Sequence, residues 1–330
     1  MLDEYRKILV TGGAGFIGSH LVDALLSLGK EVVVLDNLST GENLSLRVKL
    51  MKGDIRDIGQ VVEATKDIDL VFHVAANANG TVSVNNPQFD FETNALGTFN
   101  LLDAALQAKV KRFVYVSSAS VYGIPQHFPI GEEHPTKPFI PYGASKLAGE
   151  IFCRAFFHTY KLPVVIGRPF CVYGPRENPK LALVEISRYL RWHLNHKPIQ
   201  IVGDLERKTR DFVYVSDVIQ GLLLIADCAS VGEVFNLGSG EEISIRGLID
   251  IISSITGRQP IINVISDITE DTYRLVGDIS KIKSLGYTPS ISLSDGVKHL
   301  VEELGEHPQL PKGSTIFKRD QQMRFSINFD

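Results

Sequence analysis

Short apolar runs alternate along this chain with longer stretches in which apolar residues recur every three to four positions. Lys7 to Val10, Glu31 to Asp36, Leu50 to Asp54, Leu70 to Val74, Arg112 to Val116 and Pro163 to Arg168 are such runs. Their length is that of strands, and all but Leu50 to Asp54 are rich in β-branched residues. Between them lie helical patterns: Leu21, Val22, Leu25, Leu26 and Leu28 follow the first run, and longer ones span 85–109 and 142–160. Strands apolar on both faces and separated by helices predict a parallel sheet covered on both sides. The fold class is therefore α/β, a Rossmann-like doubly wound parallel sheet with a smaller α/β substrate-binding domain. After Gly174-Pro175 the rhythm weakens into turns and short elements. Residues 1–175 are expected to form the main domain, with 212–234 returning to it. Residues 176–211 and 235–330 would form the smaller one, and its last stretch, 306–330, matches no pattern.

The first strand runs into Thr11-Gly-Gly-Ala-Gly-Phe-Ile-Gly18, a strand, a glycine turn and a helix start. Glycines at Gly12, Gly15 and Gly18 allow a tight turn and let the backbone approach a pyrophosphate at the positive end of the helix. A tight turn without a ligand would look similar in sequence. What separates the two is Asp36, which ends the next strand about 20 residues on, where a carboxylate accepts the ribose hydroxyls of a dinucleotide. A carboxylate there repels a 2′-phosphate, so NAD is expected rather than NADP. Asn37, Ser39, Thr40 and Gly41 would close over the ribose.

The second candidate is Tyr142-Gly-Ala-Ser-Lys146. A spacing of four on a helix puts the phenol and the ammonium on one face. A nearby ammonium favours the phenolate, and a nicotinamide cation would add to that, making Tyr142 a base near neutral pH. Alone this spacing occurs on many surface helices, and the dinucleotide site in the same domain gives it weight. Ligands of open parallel sheets collect at the carboxyl ends of the strands, where Asp54, Ala75, Ala76, Ser117 and Ser118 follow their strands.

Composition adds exclusions. The 330 residues carry 34 Lys and Arg against 38 Asp and Glu, a net charge of −4 with the signs interspersed, so no nucleic-acid surface is expected. Cys153, Cys171 and Cys228 form no C-x-x-C pair, and the nine histidines show no metal spacing. Free thiols, no metal and a cytoplasmic protein are expected. No apolar run approaches a membrane span, and no signal-peptide core is evident.

Taken together, these motifs resemble the extended short-chain dehydrogenase/reductases of the nucleotide-sugar epimerase/dehydratase family. The resemblance also covers Gly53-Asp-Ile-Arg-Asp57, His73-Val-Ala-Ala76, Asn94-Ala-Leu-Gly-Thr98, Ser117-Ser-Ala-Ser-Val-Tyr-Gly123, Arg168-Pro-Phe-Cys-Val-Tyr-Gly-Pro175, Arg210-Asp-Phe-Val-Tyr214 and Arg274-Leu-Val-Gly-Asp278. It implies that Tyr142 is the base, Lys146 its activator and ribose anchor, and Ser118 the hydroxyl that bridges to the sugar oxygen. Phe16, Ile17, Asp54, Ile55, Asn94, Ser117 and Pro169 fall where the family contacts NAD. Asn94 read alone could be an ordinary helix-face amide. Arg210 and Arg274 would hold ribose and diphosphate, since a guanidinium binds phosphate oxygens in pairs. Surface arginine is the plain alternative. Ser83, Phe170 and Cys171 would line the sugar side, and Val82 and Tyr273 would help set its size. Cys171 stands where the family usually has asparagine. It reads either as an altered substrate contact or as a small buried apolar residue.

Within the family, 4,6-dehydratases carry an aspartate and a glutamate where this chain has Ala119 and Ser120. Loss of water from the sugar needs a carboxyl acid and base. The small residues here match the version seen in 4-epimerases of the UDP-glucose type. The resemblance thus implies a nucleotide-sugar 4-epimerase with retained NAD, a UDP-hexose substrate favoured, and a homodimer formed through helices 88–108 and 142–160. A nucleotide-4-keto-sugar reductase and a non-catalytic dinucleotide sensor are the alternatives. The reductase would consume cofactor. The intact Ser118, Tyr142 and Lys146 argue against the sensor.

Overall fold

Strand-forming and helix-forming segments alternate through the first half as their periodicities require. The computed structural model describes residues 1–41, 43, 45, 48–181, 184–264 and 274–311. Tyr273 and residues 312–330 of the patternless final stretch lie outside the described residues. The order begins β1 (Lys7–Thr11), α1 (Phe16–Ser27), β2 (Glu31–Asp36), β3 (Lys49–Lys52), α2 (Ile58–Ala64) and β4 (Leu70–His73). Then come α3 (Gly80–Asn85), α4 (Pro87–Asp90), a π-helical turn (Phe91–Leu96) and α5 (Gly97–Gln107). β5 (Arg112–Val116), α6 (Pro141–Tyr160) and β6 (Val164–Pro169) complete this part.

The second half holds β7 (Cys171–Tyr173), α7 (Glu185–Leu194), β8 (Ile199–Ile201), β9 (Thr209–Arg210), β10 (Phe212–Tyr214), α8 (Val215–Cys228) and β11 (Val234–Leu237). It continues with β12 (Ile243–Ser244), α9 (Ile245–Thr256), β13 (Ile262–Val264), β14 (Arg274–Leu275), α10 (Ser280–Lys283) and α11 (Leu293–Leu304).

Seven strands form one sheet in the order β11-β6-β5-β4-β1-β2-β3, and every neighbouring pair is parallel. The order reverses direction between β1 and β4, which opens a crevice at the carboxyl ends of those strands. Alternation along each strand decides the two cores. Ile8, Val10, Val32, Val34, Phe72 and Val114 point to one layer with α1 and α8. Leu9, Val33, Val71, Phe113 and Tyr115 point to the other with α2, α5 and α6. The first layer runs on into the second half of the chain through Tyr189, Leu190, Leu248 and Val297.

Two expected elements differ. The strand expected to reach Asp54 ends at Lys52, because the Asp54 N–H turns to Gln60 Oε1 at 2.7 Å instead of staying in the sheet. The helix expected over 85–109 is broken by the π-helical turn. That turn carries Asn94, whose amide bonds outside its own helix to Asn77 and Ser145. A π-turn inserted in an α-helix is commonly found at functional sites.

Candidate active site

The glycine turn is a close-packed piece of backbone. Gly12 has φ +70°, and a Cβ there would stand 2.7 Å from the Ala75 backbone. A Cβ on Gly18 would collide with the Gly12 carbonyl oxygen. Side chains are excluded so that α1 can start directly over the ends of β1 and β4. Gly15, the residue before the helix, supplies no side-chain cap, so the first-turn amides of α1 are left to a ligand or solvent. Asp36 holds this turn in shape: its carboxylate accepts from Ala14 N at 2.9 Å and Leu38 N at 2.8 Å. Asp54 accepts two bonds from the Arg56 guanidinium, at 2.9 and 2.8 Å, and one from Asn37 Nδ2 at 3.0 Å. The Arg56 contact is the main reason its carboxyl is pulled down to about 2.

A cleft of about 380 Å³ opens over this turn. It is lined by Gly12, Gly15, Phe16, Ile17 and Gly18 from the turn, and by Asp36, Asn37, Ser39, Thr40, Asp54 and Ile55 from the next strand ends. Ala75, Ala76, Ser117, Ser118, Tyr142, Lys146, Pro169, Phe170 and Cys171 complete the set brought together by the fold. Gly41, Ser83, Asn94, Arg210 and Arg274 do not line it. Ser83 is buried and donates to Gly80 O, which ties up its hydroxyl within α3. Asn94 lies one layer back and holds Asn77 by two bonds, accepting from its N–H at 2.8 Å and donating to its carbonyl at 3.0 Å. Arg210 is buried against Glu185, 3.3 Å away. Arg274 makes two 2.7 Å bonds to Glu242 and stacks 4.0 Å over the Phe128 ring.

Pattern reading missed Asn77, Phe89, Glu177 and Asn178, which also line the cleft. Asn77 and Phe89 sit in and after the loop that leaves β4, where the sheet order reverses. That position was the available signal. Glu177 and Asn178 follow β7, and Asn178 Nδ2 donates to Thr40 O at 2.6 Å across 138 residues. Nothing local announces that contact.

One end of the cleft is built by α6 and by the residues that follow β5. Pro141 starts α6, a favoured first position because its ring presets φ and its absent N–H is not needed. Tyr142 and Lys146 then project from the same face. Lys146 is 2% exposed, and its ammonium lies 4.5 Å over the Tyr115 ring. Burial draws its pKa down to about 8, opposed by Cys153, Glu150 and Asp90. Ser118 accepts from Ser120 N at 3.1 Å, which leaves its hydroxyl hydrogen for the cleft. Burial pushes the Tyr142 phenol up, and the hydrogen bond with Ser118 opposes the rise. In the protein alone the phenol is therefore raised rather than lowered as expected, because burial penalises the phenolate. Burial also pushes the Cys171 thiol up, so it is held as a neutral thiol rather than a nucleophile.

His73, which ends β4, is buried between Thr11 Oγ1 at 2.8 Å and Thr98 Oγ1 at 2.9 Å. Burial holds it well below its ordinary pKa, and Lys146 adds to that. It ties the end of β1 to α5 as a neutral ring. Among the described residues no group of three or more His, Cys, Asp or Glu side chains could hold a metal ion. No helix among them is long and apolar enough to cross a membrane.

The residues present fit a dinucleotide. Close-packed glycine backbone, the carboxylate of Asp36, and Tyr142 with Lys146 all line the one cleft. The model of the NAD dependent epimerase/dehydratase family matches residues 8–238. The chain is 36% identical over 308 residues to a UDP-glucose 4-epimerase of Mycolicibacterium smegmatis, covering 90% of this chain and 97% of that one. It is similar to the crystal structure of the Thermotoga maritima UDP-glucose 4-epimerase with UDP-glucose. That match has a TM-score of 0.85 and 35% identity, and covers 90% of this chain and 97% of the other. It is also similar to a dTDP-glucose 4,6-dehydratase of Streptomyces venezuelae solved with NAD, with a TM-score of 0.82 and 32% identity over 90% and 96% of the two chains. A cleft shaped for a dinucleotide, a serine, tyrosine and lysine at one end of it and a match over most of its length place this chain in the NAD-dependent epimerase/dehydratase family.

Proposed function

We propose that the protein is a nucleotide-sugar 4-epimerase acting on a UDP-hexose. One observation carries this choice within the family. Beside Ser118 and Tyr142 the cleft wall is Ala119 and Ser120, with no carboxyl group at the two places where a dehydratase needs its acid and base.

NAD would be held by the glycine turn, Asp36 and Lys146, and would supply a reversible hydride acceptor. The chain's own residues do the rest. Tyr142 takes the proton of the sugar 4-hydroxyl and later returns it. Ser118 donates to the sugar oxygen and carries the proton between that oxygen and the phenol. Lys146 keeps a positive charge beneath Tyr142 and favours its phenolate. Phe170, Cys171, Val184 and Leu275 give the sugar side smooth apolar walls, against which a keto sugar can turn while its nucleotide stays anchored. In this reading Arg210 and Arg274 are the diphosphate and ribose contacts, and they exchange Glu185 and Glu242 for substrate oxygens.

The purified protein, given UDP-glucose, UDP-galactose or their N-acetyl forms without added cofactor, is expected to interconvert one C4 pair. NMR of the anomeric protons reads this directly. No conversion even with NAD supplied would overturn the reading.

The exposed faces of α5 and α6 support a homodimer. Leu96, Phe99, Ile151 and Phe152 are between 38 and 58% exposed on adjoining helices, and Phe99 and Phe152 stack edge to face at 5.4 Å. A contiguous apolar patch of this kind marks an interface. Wild type is expected to run as a dimer in light scattering, and Phe99→Asp with Phe152→Asp as a monomer. An unchanged mass would place any interface elsewhere. The three cysteines are unpaired thiols, which fits a reducing compartment, and the proposal places the enzyme in the cytoplasm.

A further inference from the structure

Asp90 takes no part in the chemistry above, yet its carboxylate is fully buried near Tyr142 and Lys146. Oδ1 accepts from Asn77 Nδ2 at 2.7 Å and from Asn94 Nδ2 at 3.0 Å, and Oδ2 accepts from Ser145 Oγ at 2.6 Å. Three donors converging on one carboxylate favour its ionised form. Burial pushes this carboxyl upward, and the bonds from Ser145 and Asn77 oppose that. Ser145 adjoins Lys146 in α6 and also accepts from Asn94 at 3.1 Å. Asp90 therefore bonds to both the catalytic helix and the π-helical turn.

The charges around Lys146 leave Asp90 a specific place. Glu150 faces the lysine from its own helix but is neutralised by two bonds from the Arg168 guanidinium. Cys153 and Tyr115 are held neutral, each pushed well above its ordinary value by burial. His73 is neutral as described, and Tyr142 is a neutral phenol in the free protein. Among the described groups that raise the pKa of Lys146, Asp90 is the carboxylate with no arginine or lysine bonded to it.

We propose that Asp90 is a positioning residue for Lys146: through Ser145 and Asn94 it sets α6 against the π-helical turn, and it supplies the buried charge that balances the lysine. This rests on Tyr142 and Lys146 being the reacting pair proposed above.

Asp90→Asn keeps the shape and removes the charge. Its loss lowers the pKa of both Lys146 and Tyr142, so both limbs of the pH profile of kcat move to lower pH, by roughly one unit. A fall in kcat with both limbs unmoved would overturn the proposal, since that is what a purely structural residue gives. A second comparison needs no turnover. Lys146→Met leaves Asp90 buried without its counter-charge, so adding Asp90→Asn to that variant is expected to raise its melting temperature by several degrees. No rise, or a further fall, would overturn the charge pairing. Should no UDP-hexose be turned over, the epimerase reading fails while the stability comparison still decides the role of Asp90.

Discussion

Replacing Tyr142 by phenylalanine is expected to cut kcat by about 10²- to 10⁴-fold, the range removed with a positioned general base. The change deletes one oxygen from a ring that lines the cleft and whose phenol bonds Ser118. The ring itself and the Lys146 ammonium stay in place. Melting temperature and the NAD carried through purification should therefore stay near wild type, so the loss can be assigned to the proton transfer. The check is a coupled assay of the C4 interconversion alongside thermal unfolding and the absorbance of retained cofactor. Turnover within a few-fold of wild type would mean that another group removes the proton.

The largest stability effect is expected from Glu150→Ala. Arg168 and Glu150 are each 1% exposed and joined at 2.8 and 2.6 Å. The same guanidinium donates to Tyr122 Oη at 2.9 Å and to Glu132 O at 3.0 Å, and Tyr122 donates on to Asn236 Oδ1 at 2.6 Å. Ser117 Oγ also donates to Glu150, at 2.6 Å. The cluster thus ties α6, β6 and β11 together and takes in Ser117, the neighbour of Ser118. Removing the carboxylate leaves a buried guanidinium without its counter-charge, which costs about 3–5 kcal/mol. Urea unfolding measures this. Replacing both partners by methionine should cost less than the single change, because no charge is then stranded. A loss below about 1 kcal/mol for Glu150→Ala would mean that solvent reaches the guanidinium and replaces the carboxylate.

Legibility followed range along the chain. Gly12, Gly15 and Gly18 could be read because a strand, a turn and a helix start are consecutive, and Asp36 because it ends the next strand. Tyr142 and Lys146 could be read because one helical turn separates them. By motif, Arg210 and Arg274 read as contacts to ribose and diphosphate. The fold adds that each is already engaged by a carboxylate, Glu185 and Glu242, which stand 25 and 32 residues away in sequence. Asp90 escaped notice because nothing near it in sequence marks it. Its three donors come from positions 77, 94 and 145.

By itself, the sequence determined the alternation of strands and helices, the glycine turn, the acidic end of the second strand and the spacing of phenol and ammonium. Each of these is written in the local periods of 2 and 3.6 residues and in the few conformations that only glycine allows. Tertiary structure alone decided the burial of Lys146, the pairing of Glu150 with Arg168 and the engagement of Arg210 and Arg274 by carboxylates. It also decided which faces of α5 and α6 stay exposed. Those features depend on groups far apart in sequence being brought together where water is excluded, and only there do burial and charge acquire the strength to set a pKa or hold a helix in place.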